Sequence, residues 1–376
     1  MSQKRKVVII GSAWPLRGGG IATFNERLAK AYMDKGDDVI IYSFSLQYPS
    51  FLFPGTTQYS KEPEPEELNI KVTINSMNPL NWFKVGKEIS NLKPDLVVVR
   101  FWIPYMGPSL GTICNIIRKK GIKVVAIVDN IIPHEHKPGD RLFSKYFVKR
   151  VKHFVTMSKA VLNDLKSFDD KSPKRLTVHP LYDNFGKLIP QTKAIKNLKL
   201  SDKNKYLLFF GFIRDYKGLD LLLQAFSDKR LRNFPLKLMV VGEFYVDSKP
   251  YLQMIEELGI KDFVIMQNEF VPNTEVVNYF CASSLVVQPY KDATQSGITQ
   301  IAYHFERPII TTNVGGLSEI VTDKRDGYVV EPDPEQIANA IFTYFDKDQE
   351  SEFAKNVKAD KKRFSWDKFL EAIDEV

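Results

Sequence analysis

Short, strongly apolar segments constrain the fold of this 376-residue chain more than any other feature of its sequence. They are rich in Val and Ile, and most are followed by a longer stretch whose apolar residues have helical spacing. Continuous apolar runs are typical of strands buried on both faces of a parallel sheet. A first series lies at residues 7–10, 39–42, 70–74, 96–99, 124–127 and 154–157. Strands alternating with helices in this way predict a doubly wound α/β domain.

The same rhythm restarts in the second half of the chain. Its runs lie at residues 207–210, 238–241, 263–266, 285–287 and 308–311. Residues 183–205 lack strong periodicity and are interpreted as a linker, whereas residues 351–376 are highly charged and predicted to be helical. The sequence therefore predicts two doubly wound, Rossmann-like domains, and a cleft between the carboxyl ends of their sheets, where such folds bind ligands.

Composition narrows the class of protein. Two cysteines cannot form a disulfide framework, which indicates a reducing, cytoplasmic setting. Neither a signal peptide nor a membrane span is predicted, so a soluble or peripheral protein is expected. The net charge of +8 favours an anionic partner, such as a phosphorylated metabolite or an acidic membrane surface. Nucleic acid is not expected, because no basic and aromatic motif or recognition helix stands out.

The loop after the first predicted strand is rich in glycine and leads directly into a helix. Its last glycines, Gly19 and Gly20, would let backbone N–H groups approach a phosphate at the helix start. The spacing differs from the dinucleotide-binding fingerprint, which argues against a nicotinamide cofactor. A turn built from small residues is the alternative interpretation.

Three loops of the second half also follow predicted strands. The first carries Arg214 and Lys217, whose charges suit a diphosphate. The next carries Ser296 and Gly297, which offer backbone N–H groups or a helix cap. The last places Glu319 in the predicted first turn of a helix, where the helix dipole alone would favour a carboxylate.

Together these loops resemble family-four retaining glycosyltransferases of the GT-B fold (glycosyl transferases group 1). The resemblance rests on the glycines at 18–20, on Gly-x-x-Arg-x-x-Lys-Gly-x-Asp at 211–220 and on Gly-Gly-x-x-Glu-Ile-Val at 315–321. It covers nearly the whole chain and implies an acceptor-side domain at 1–185 and a donor-side domain at 186–360. Residues 361–376, with Phe-Ser-Trp at 364–366, resemble the family's closing helix, which returns to the amino-terminal domain.

The resemblance also implies roles for individual residues. Gly19 and Gly20 would approach the donor diphosphate, Arg214 and Lys217 would neutralise it as the nucleotide leaves, and Ser296 and Gly297 would supply backbone contacts. Ala293 and Ile301 stand where the family usually has glutamates, so the ribose contact would come from Gln300 or Glu319, or be absent. Asp129 stands where members often carry a histidine, and Asp129 or the nearby His134 would contact the sugar or acceptor.

The implied activity is metal-independent transfer of a hexose from a nucleotide-diphosphate sugar to a saccharide or lipid-linked acceptor, in the synthesis of surface polysaccharide or glycolipid. The nucleotide sugar is a co-substrate, and no further cofactor is expected. The missing glutamates keep two alternatives open, a catalytically silent nucleotide-sugar sensor and a sugar-nucleotide epimerase. Segments 143–152 and 82–84 combine aromatic and basic residues, as ordinary packed helices or as contacts with the inner face of a membrane.

Overall fold

The structure is a computed structural model that describes residues 4–49, 53, 57–133 and 137–376. The chain forms two compact units. Unit 1 contains Met1–Pro180 together with Ser365–Val376, and unit 2 contains Leu181–Phe364. None of the helices in the described part of the chain combines the length and apolarity needed to span a bilayer.

Unit 1 is built, over its described residues, on a seven-stranded parallel sheet with the order β3-β2-β1-β4-β5-β6-β7. Its strands are β1 (Lys6–Ile10), β2 (Asp38–Leu46), β3 (Ile70–Asn75), β4 (Leu96–Phe101), β5 (Val124–Val128), β6 (His153–Thr156) and β7 (Lys174–Leu176). The helices between them are α1 (Gly20–Asp34), α2 (Pro79–Asn91), α3 (Gly107–Arg118), α4 (Asp140–Val148) and α5 (Lys159–Phe168).

Unit 2 repeats this design with a six-stranded sheet in its described residues, in the order β10-β9-β8-β11-β12-β13. Its strands are β8 (Lys205–Phe210), β9 (Leu236–Val241), β10 (Val264–Gln267), β11 (Leu285–Gln288), β12 (Ile309–Thr312) and β13 (Gly327–Val330). Its helices are α6 (Gln191–Asn197), α7 (Leu219–Phe226), α8 (Lys249–Glu257), α9 (Val276–Ala282), α10 (Gly297–His304), α11 (Pro334–Asp346) and α12 (Glu350–Asp360).

The burial of the central strands explains why alternating apolar runs and helical stretches in the sequence predict this fold. Every residue of β4 and β5 is buried, since helices cover both faces of the sheet. The predicted α/β class with two doubly wound units is therefore confirmed. The short edge strand β7 was missed because its sequence, Lys-Arg-Leu, is exposed and charged.

Each sheet has one topological switch point, where neighbouring strands are connected to opposite sides of the sheet. In unit 1 this point lies between β1 and β4, and in unit 2 it lies between β8 and β11. Ligands of doubly wound sheets bind outside the carboxyl ends of the strands at such points. The loops after these strands are therefore the first place to seek a site in each unit.

The carboxyl-terminal helix α13 (Trp366–Glu375) belongs to unit 1. The rings of Trp366 and Phe369 pack against Phe24 of α1, with ring centroids 5.0 and 5.4 Å away. Near the end of the helix, Asp374 accepts two hydrogen bonds from the Arg5 guanidinium, at 2.6 and 3.0 Å. The chain therefore leaves unit 1 at Pro180, forms the whole of unit 2, and returns to complete unit 1.

The stretch interpreted as a linker contains structure. Helix α6 lies within it and packs on α9, where the Asn197 side chain donates a hydrogen bond to the Asn278 side chain at 2.8 Å. Gln191 adds a hydrogen bond to the backbone carbonyl of Ala282 at 3.1 Å. The helix escaped prediction because it is seven residues long, with few apolar positions.

Candidate active site

Three loops meet at the carboxyl edge of the unit 2 sheet, after β8, β11 and β12. The backbone N–H of Lys291 donates to the carbonyl of Tyr216 at 2.7 Å, which joins the first two loops. A Cβ at Gly218 would lie 1.9 Å from the Pro289 carbonyl oxygen, so only glycine fits there. In the third loop Gly315, at φ +48°, would similarly place a Cβ 1.5 Å from the Ala293 carbonyl oxygen. The sequence motifs thus form one structural cluster.

Lys217 lies at the centre of this cluster. Its side chain is 9% exposed, and its Nζ is 5.6 Å from the centroid of the Tyr290 ring. A Cβ built on Gly211 would lie 3.1 Å from Nζ, so the glycine leaves room for the ammonium. The Lys217 backbone N–H donates to the Arg214 carbonyl at 3.0 Å, but within the described residues its ammonium makes neither a hydrogen bond nor an ion pair. Burial accordingly lowers the pKa of Lys217, and Arg214 lowers it further.

Arg214 and Lys217 share the short loop that follows β8. Arg214 precedes the single 3₁₀ turn Asp215–Lys217, and its guanidinium lies over the Tyr245 ring, 5.2 Å from the centroid. Both positive charges therefore lie at the carboxyl edge of the unit 2 sheet. A buried ammonium without a counter-ion is unfavourable in the protein alone, and an anionic ligand would remove that penalty.

Ser296 caps helix α10. Its hydroxyl accepts hydrogen bonds from the Ile298 N–H at 3.3 Å and from the Gln288 side chain at 2.9 Å. Gly297 follows as the first helical residue, and a Cβ there would lie 2.5 Å from the Tyr182 ring. The capping role considered from the sequence is therefore present, and the start of α10 is held firmly beside the Lys217 loop.

Gln300 lies on the face of α10 that packs against residues 182–186. Gly297 abuts Tyr182, and His304 bonds the Gly186 carbonyl at 2.7 Å, so this face packs against residues 182–186. Gln300 shares that face, because residues spaced i, i+3 and i+7 line one side of a helix. Its amide is fully buried, and neither polar atom has a hydrogen-bond partner in the described residues. Its predicted ribose contact stays a prediction.

Glu319 does not lie in a helix, and the expectation of a helical first turn there was wrong. Residues 315–320 form consecutive turns, in which Leu317 N–H donates to the Val314 carbonyl and Ile320 N–H to the Leu317 carbonyl. Leu317 is buried in a small cluster with Tyr290 and Ala293, and this packing accompanies the turns of the backbone. Glu319 is exposed, so its predicted contact with the donor has no helix dipole behind it.

The glycine loop of unit 1 leads into α1 as the sequence predicts. Gly19 precedes the first turn of α1, and its N–H donates to the Thr23 hydroxyl at 3.0 Å while its carbonyl accepts from the Thr23 N–H at 3.2 Å. Gly20 is the exposed first residue of the helix. The junction between the loop and α1 is therefore held by Thr23, whose hydroxyl already accepts the Gly19 N–H.

Asp129 lies at the carboxyl end of β5 and forms a buried ion pair with Arg100. The Nε and Nη2 of Arg100 donate to the two carboxylate oxygens at 2.6 and 2.8 Å, and both side chains are less than a tenth exposed. The Arg100 guanidinium also stacks on Phe24, 3.7 Å from the ring centroid. Asp129 thus holds Arg100 in place, and its predicted contact with the sugar or acceptor stays a prediction.

His134, the other residue assigned to the sugar, lies outside the described residues, as do Glu135 and His136. Within the described part of the chain no three His, Cys, Asp or Glu side chains are grouped to hold a metal ion. His179 is in edge contact with Phe24, on which the Arg100 guanidinium also stacks. Burial, with a further contribution from Arg100, lowers the pKa of His179 to about 3.

Glu26 was not predicted from the sequence and anchors the loop after β1. Its Oε1 accepts a hydrogen bond from the Trp14 N–H at 2.9 Å. Burial, together with the nearby Glu62, raises the pKa of Glu26 to about 7, although the hydrogen bond from Trp14 lowers it in part. The neighbouring Asn25 was also not predicted. The sequence did contain a signal for it, because this polar residue lies on the same helix face as the apolar Ala22 and Leu28.

The raised pKa of Glu26 predicts a pH dependence of stability. Between pH 4.5, the ordinary pKa, and about 7 the folded state binds more protons than the unfolded state, so stability falls as pH rises through this window. Glu26→Gln keeps an acceptor for Trp14 without the charge. We expect it to match wild type at pH 5 and to be more stable than wild type at pH 8. All four tryptophans lie in unit 1, so tryptophan fluorescence during urea unfolding measures this; an equal wild-type and variant profile would contradict it.

Comparison with known proteins gives a consistent result. The family model for "Glycosyltransferase Family 4" matches residues 18–181, and the model for "Glycosyl transferases group 1" matches residues 204–347. The uncharacterized glycosyltransferase MJ1178 of Methanocaldococcus jannaschii is 26% identical over 305 residues, which span 79% of each chain. The D-inositol 3-phosphate glycosyltransferase of Acidothermus cellulolyticus is 23% identical over 67% of this chain and 58% of its own length.

A solved structure extends the likeness to the fold. Anabaena Alr3699/HepE in complex with UDP superposes with a TM-score of 0.76 at 15% identity, covering 99% of this chain and all of the other. The two doubly wound units and the family matches define a glycosyltransferase of the GT-B type. Within that class, the chain belongs to glycosyltransferase family 4, as the sequence motifs indicated.

Proposed function

We propose that this glycosyltransferase transfers a hexose, with retention, from a nucleotide-diphosphate sugar to a saccharide or lipid-linked acceptor in polysaccharide or glycolipid synthesis. The observation that carries the proposal is the buried Lys217 ammonium, which has no counter-charge in the described residues. A diphosphate supplies that charge. The proposal is supported by Anabaena Alr3699/HepE, which shares the fold and was solved in complex with UDP, a nucleoside diphosphate.

In the proposed mechanism, unit 2 binds the donor. Arg214 and Lys217 stabilise the negative charge that grows on the diphosphate as the bond to the sugar breaks. The start of α10, fixed by Ser296 and Gly297, offers backbone N–H groups to the phosphates. Glu319, exposed on the adjoining loop, lines the donor pocket.

Unit 1 contributes the acceptor side of the reaction. Gly19 and Gly20 approach the diphosphate at the start of α1. The Arg100–Asp129 pair supports the loops around it, and His134 is assigned to the sugar or acceptor. The two cationic side chains in unit 2 take the part that a metal ion plays in other transferases, so the reaction is proposed to need no metal.

Incubation with radiolabelled nucleotide sugars tests the proposal. We expect label to move to a saccharide or lipid-linked acceptor, with the anomeric configuration kept, and the rate to be unchanged by EDTA. An altered sugar nucleotide without transfer would support the epimerase alternative, and tight binding without turnover would support the sensor alternative. Loss of activity in EDTA with recovery on adding a divalent ion would contradict the metal-free mechanism.

A further inference from the structure

Helix α2 of unit 1 exposes large apolar side chains to solvent. Leu80 is 81% exposed and Phe83 is 51% exposed, and Met77, just before the helix, is 52% exposed. Single exposed apolar residues are common on proteins, but three so close together on one surface usually mark a contact with a partner. In the described residues, Leu80 is the most exposed of the large apolar side chains.

The same face of α2 is basic. Leu80, Phe83, Lys84 and Lys87 follow the i, i+3, i+4, i+7 spacing of one helix face, and all four are exposed. The single acidic residue of the helix, Glu88, is turned to the edge of the sheet, where it accepts hydrogen bonds from Tyr42 at 2.8 Å and from Lys71 at 3.3 Å. The exposed face therefore combines apolar and positive groups without a carboxylate.

The basic character extends over the neighbouring helices. Gly86 of α2 abuts Ile116 of α3, and Gly111 of α3 abuts Tyr146 of α4, so the three helices form one continuous layer. With their flanking residues, segments 77–93, 107–121 and 139–152 carry a large excess of positive charge. The basic residues are Lys84, Lys87, Lys93, Arg118, Lys119, Lys120, Arg141, Lys145, Lys149, Arg150 and Lys152, against the acidic Glu88 and Asp140.

The structure distinguishes the two segments that the sequence marked as amphipathic. In segment 143–152, Phe147 and Val151 are fully buried, so this is an ordinary packed helix whose basic face is in solvent. At its start Leu142 is 67% exposed and adds an apolar side chain to the layer. In segment 82–84, in contrast, Phe83 and Lys84 belong to the exposed face of α2, whereas Trp82 packs against the core and donates its Nε1–H to the Asn75 carbonyl at 2.8 Å.

We propose that the α2–α3–α4 layer is a docking surface for an anionic lipid bilayer. Leu80, Phe83 and Met77 enter the interface between headgroups and acyl chains, and the lysines and arginines contact the anionic headgroups. The apolar side chains favour a bilayer over nucleic acid, which offers no apolar medium to receive them. The inference does not depend on the transfer reaction, since it rests on the surface of unit 1 alone.

Co-sedimentation with lipid vesicles tests this surface, using the full chain without donor or acceptor. We expect binding to equimolar phosphatidylglycerol–phosphatidylcholine vesicles to exceed binding to pure phosphatidylcholine by about tenfold or more. Lys84→Glu with Lys87→Glu should lower the binding constant by about tenfold or more, and Leu80→Ser with Phe83→Ser should lower it by about tenfold. High salt should weaken wild-type binding.

Matched controls carry the same changes on unit 2. Lys203→Glu with Lys355→Glu, and Leu188→Ser with Leu252→Ser, alter exposed residues of that unit and should bind like wild type. Circular dichroism and thermal midpoints check the fold, and the milder Lys84→Gln with Lys87→Gln replaces any variant that unfolds. Binding that is equal for both vesicle types, or equally reduced by the α2 and control variants, would overturn the proposal. So would self-association or nucleic-acid binding through α2 without vesicle binding.

Discussion

Replacing Lys217 by Met is expected to lower turnover by about 100-fold or more without lowering the stability of the protein. The ammonium is buried and has no counter-charge in the described residues, so removing it takes away an unfavourable desolvated charge. The leaving diphosphate, in contrast, loses a group that stabilises charge in the transition state. Donor binding should weaken less than turnover, because leaving-group charge is only partly developed in the ground state.

Three measurements separate this expectation from a merely structural role. Steady-state turnover and affinity for a nucleoside diphosphate are compared with the thermal midpoint of the same variant. Lys249→Ala, an exposed lysine of unit 2, is the control and should resemble wild type in all three. A fall in both stability and turnover would make Lys217 structural, and wild-type turnover would remove it from the mechanism.

The second large effect concerns the buried pair in unit 1. Asp129→Asn leaves the Arg100 guanidinium, 3% exposed, without its counter-charge and should destabilise unit 1 by about 3–5 kcal/mol. Arg100→Leu combined with Asp129→Leu should recover much of this loss, because no buried charge remains. Tryptophan fluorescence during urea unfolding follows unit 1 selectively, since unit 2 contains no tryptophan.

An exposed salt bridge of unit 1 provides the comparison. Lys30 donates to Glu67 at 2.8 Å, and the two side chains are 51% and 72% exposed, so water and salt screen the interaction. Glu67→Gln should therefore leave the unfolding of unit 1, followed by the same fluorescence, close to that of wild type. If Asp129→Asn were as mild as Glu67→Gln, the Arg100 pair would not hold the carboxyl edge of the unit 1 sheet together.

The fold could be predicted from the sequence because burial on both faces leaves a direct mark on strand composition. β4 and β5 are continuous apolar runs, and the loops that follow such strands must lie at one edge of a parallel sheet. The convergence of Lys217, Ser296 and residue 315 at one edge follows from that topology. These are properties of pattern and chain order, which a sequence contains.

The parts that could not be predicted depend on which way a side chain points and on what neutralises it. Nothing in the sequence shows that Lys291 has Asp220 as a partner, at 2.7 Å, while Lys217 has none in the described residues. Asp129 looked available for a sugar until the structure placed Arg100 on both of its oxygens. Glu319 follows a strand and two glycines, a pattern that predicts the start of a helix. The structure has turns there, with Leu317 buried among them.

The discontinuous layout of unit 1 has a consequence for synthesis on the ribosome. Phe24 receives its aromatic neighbours Trp366 and Phe369 only after all of unit 2 has been translated. Until then the nascent amino-terminal portion keeps an uncovered apolar face, whereas unit 2 is continuous in sequence and can mature first. A chain halted at Phe364 would therefore contain an intact unit 2 beside a persistently unfinished unit 1. Such a product is a natural target for chaperones and proteases, although the residues it lacks are far in sequence from the part they complete.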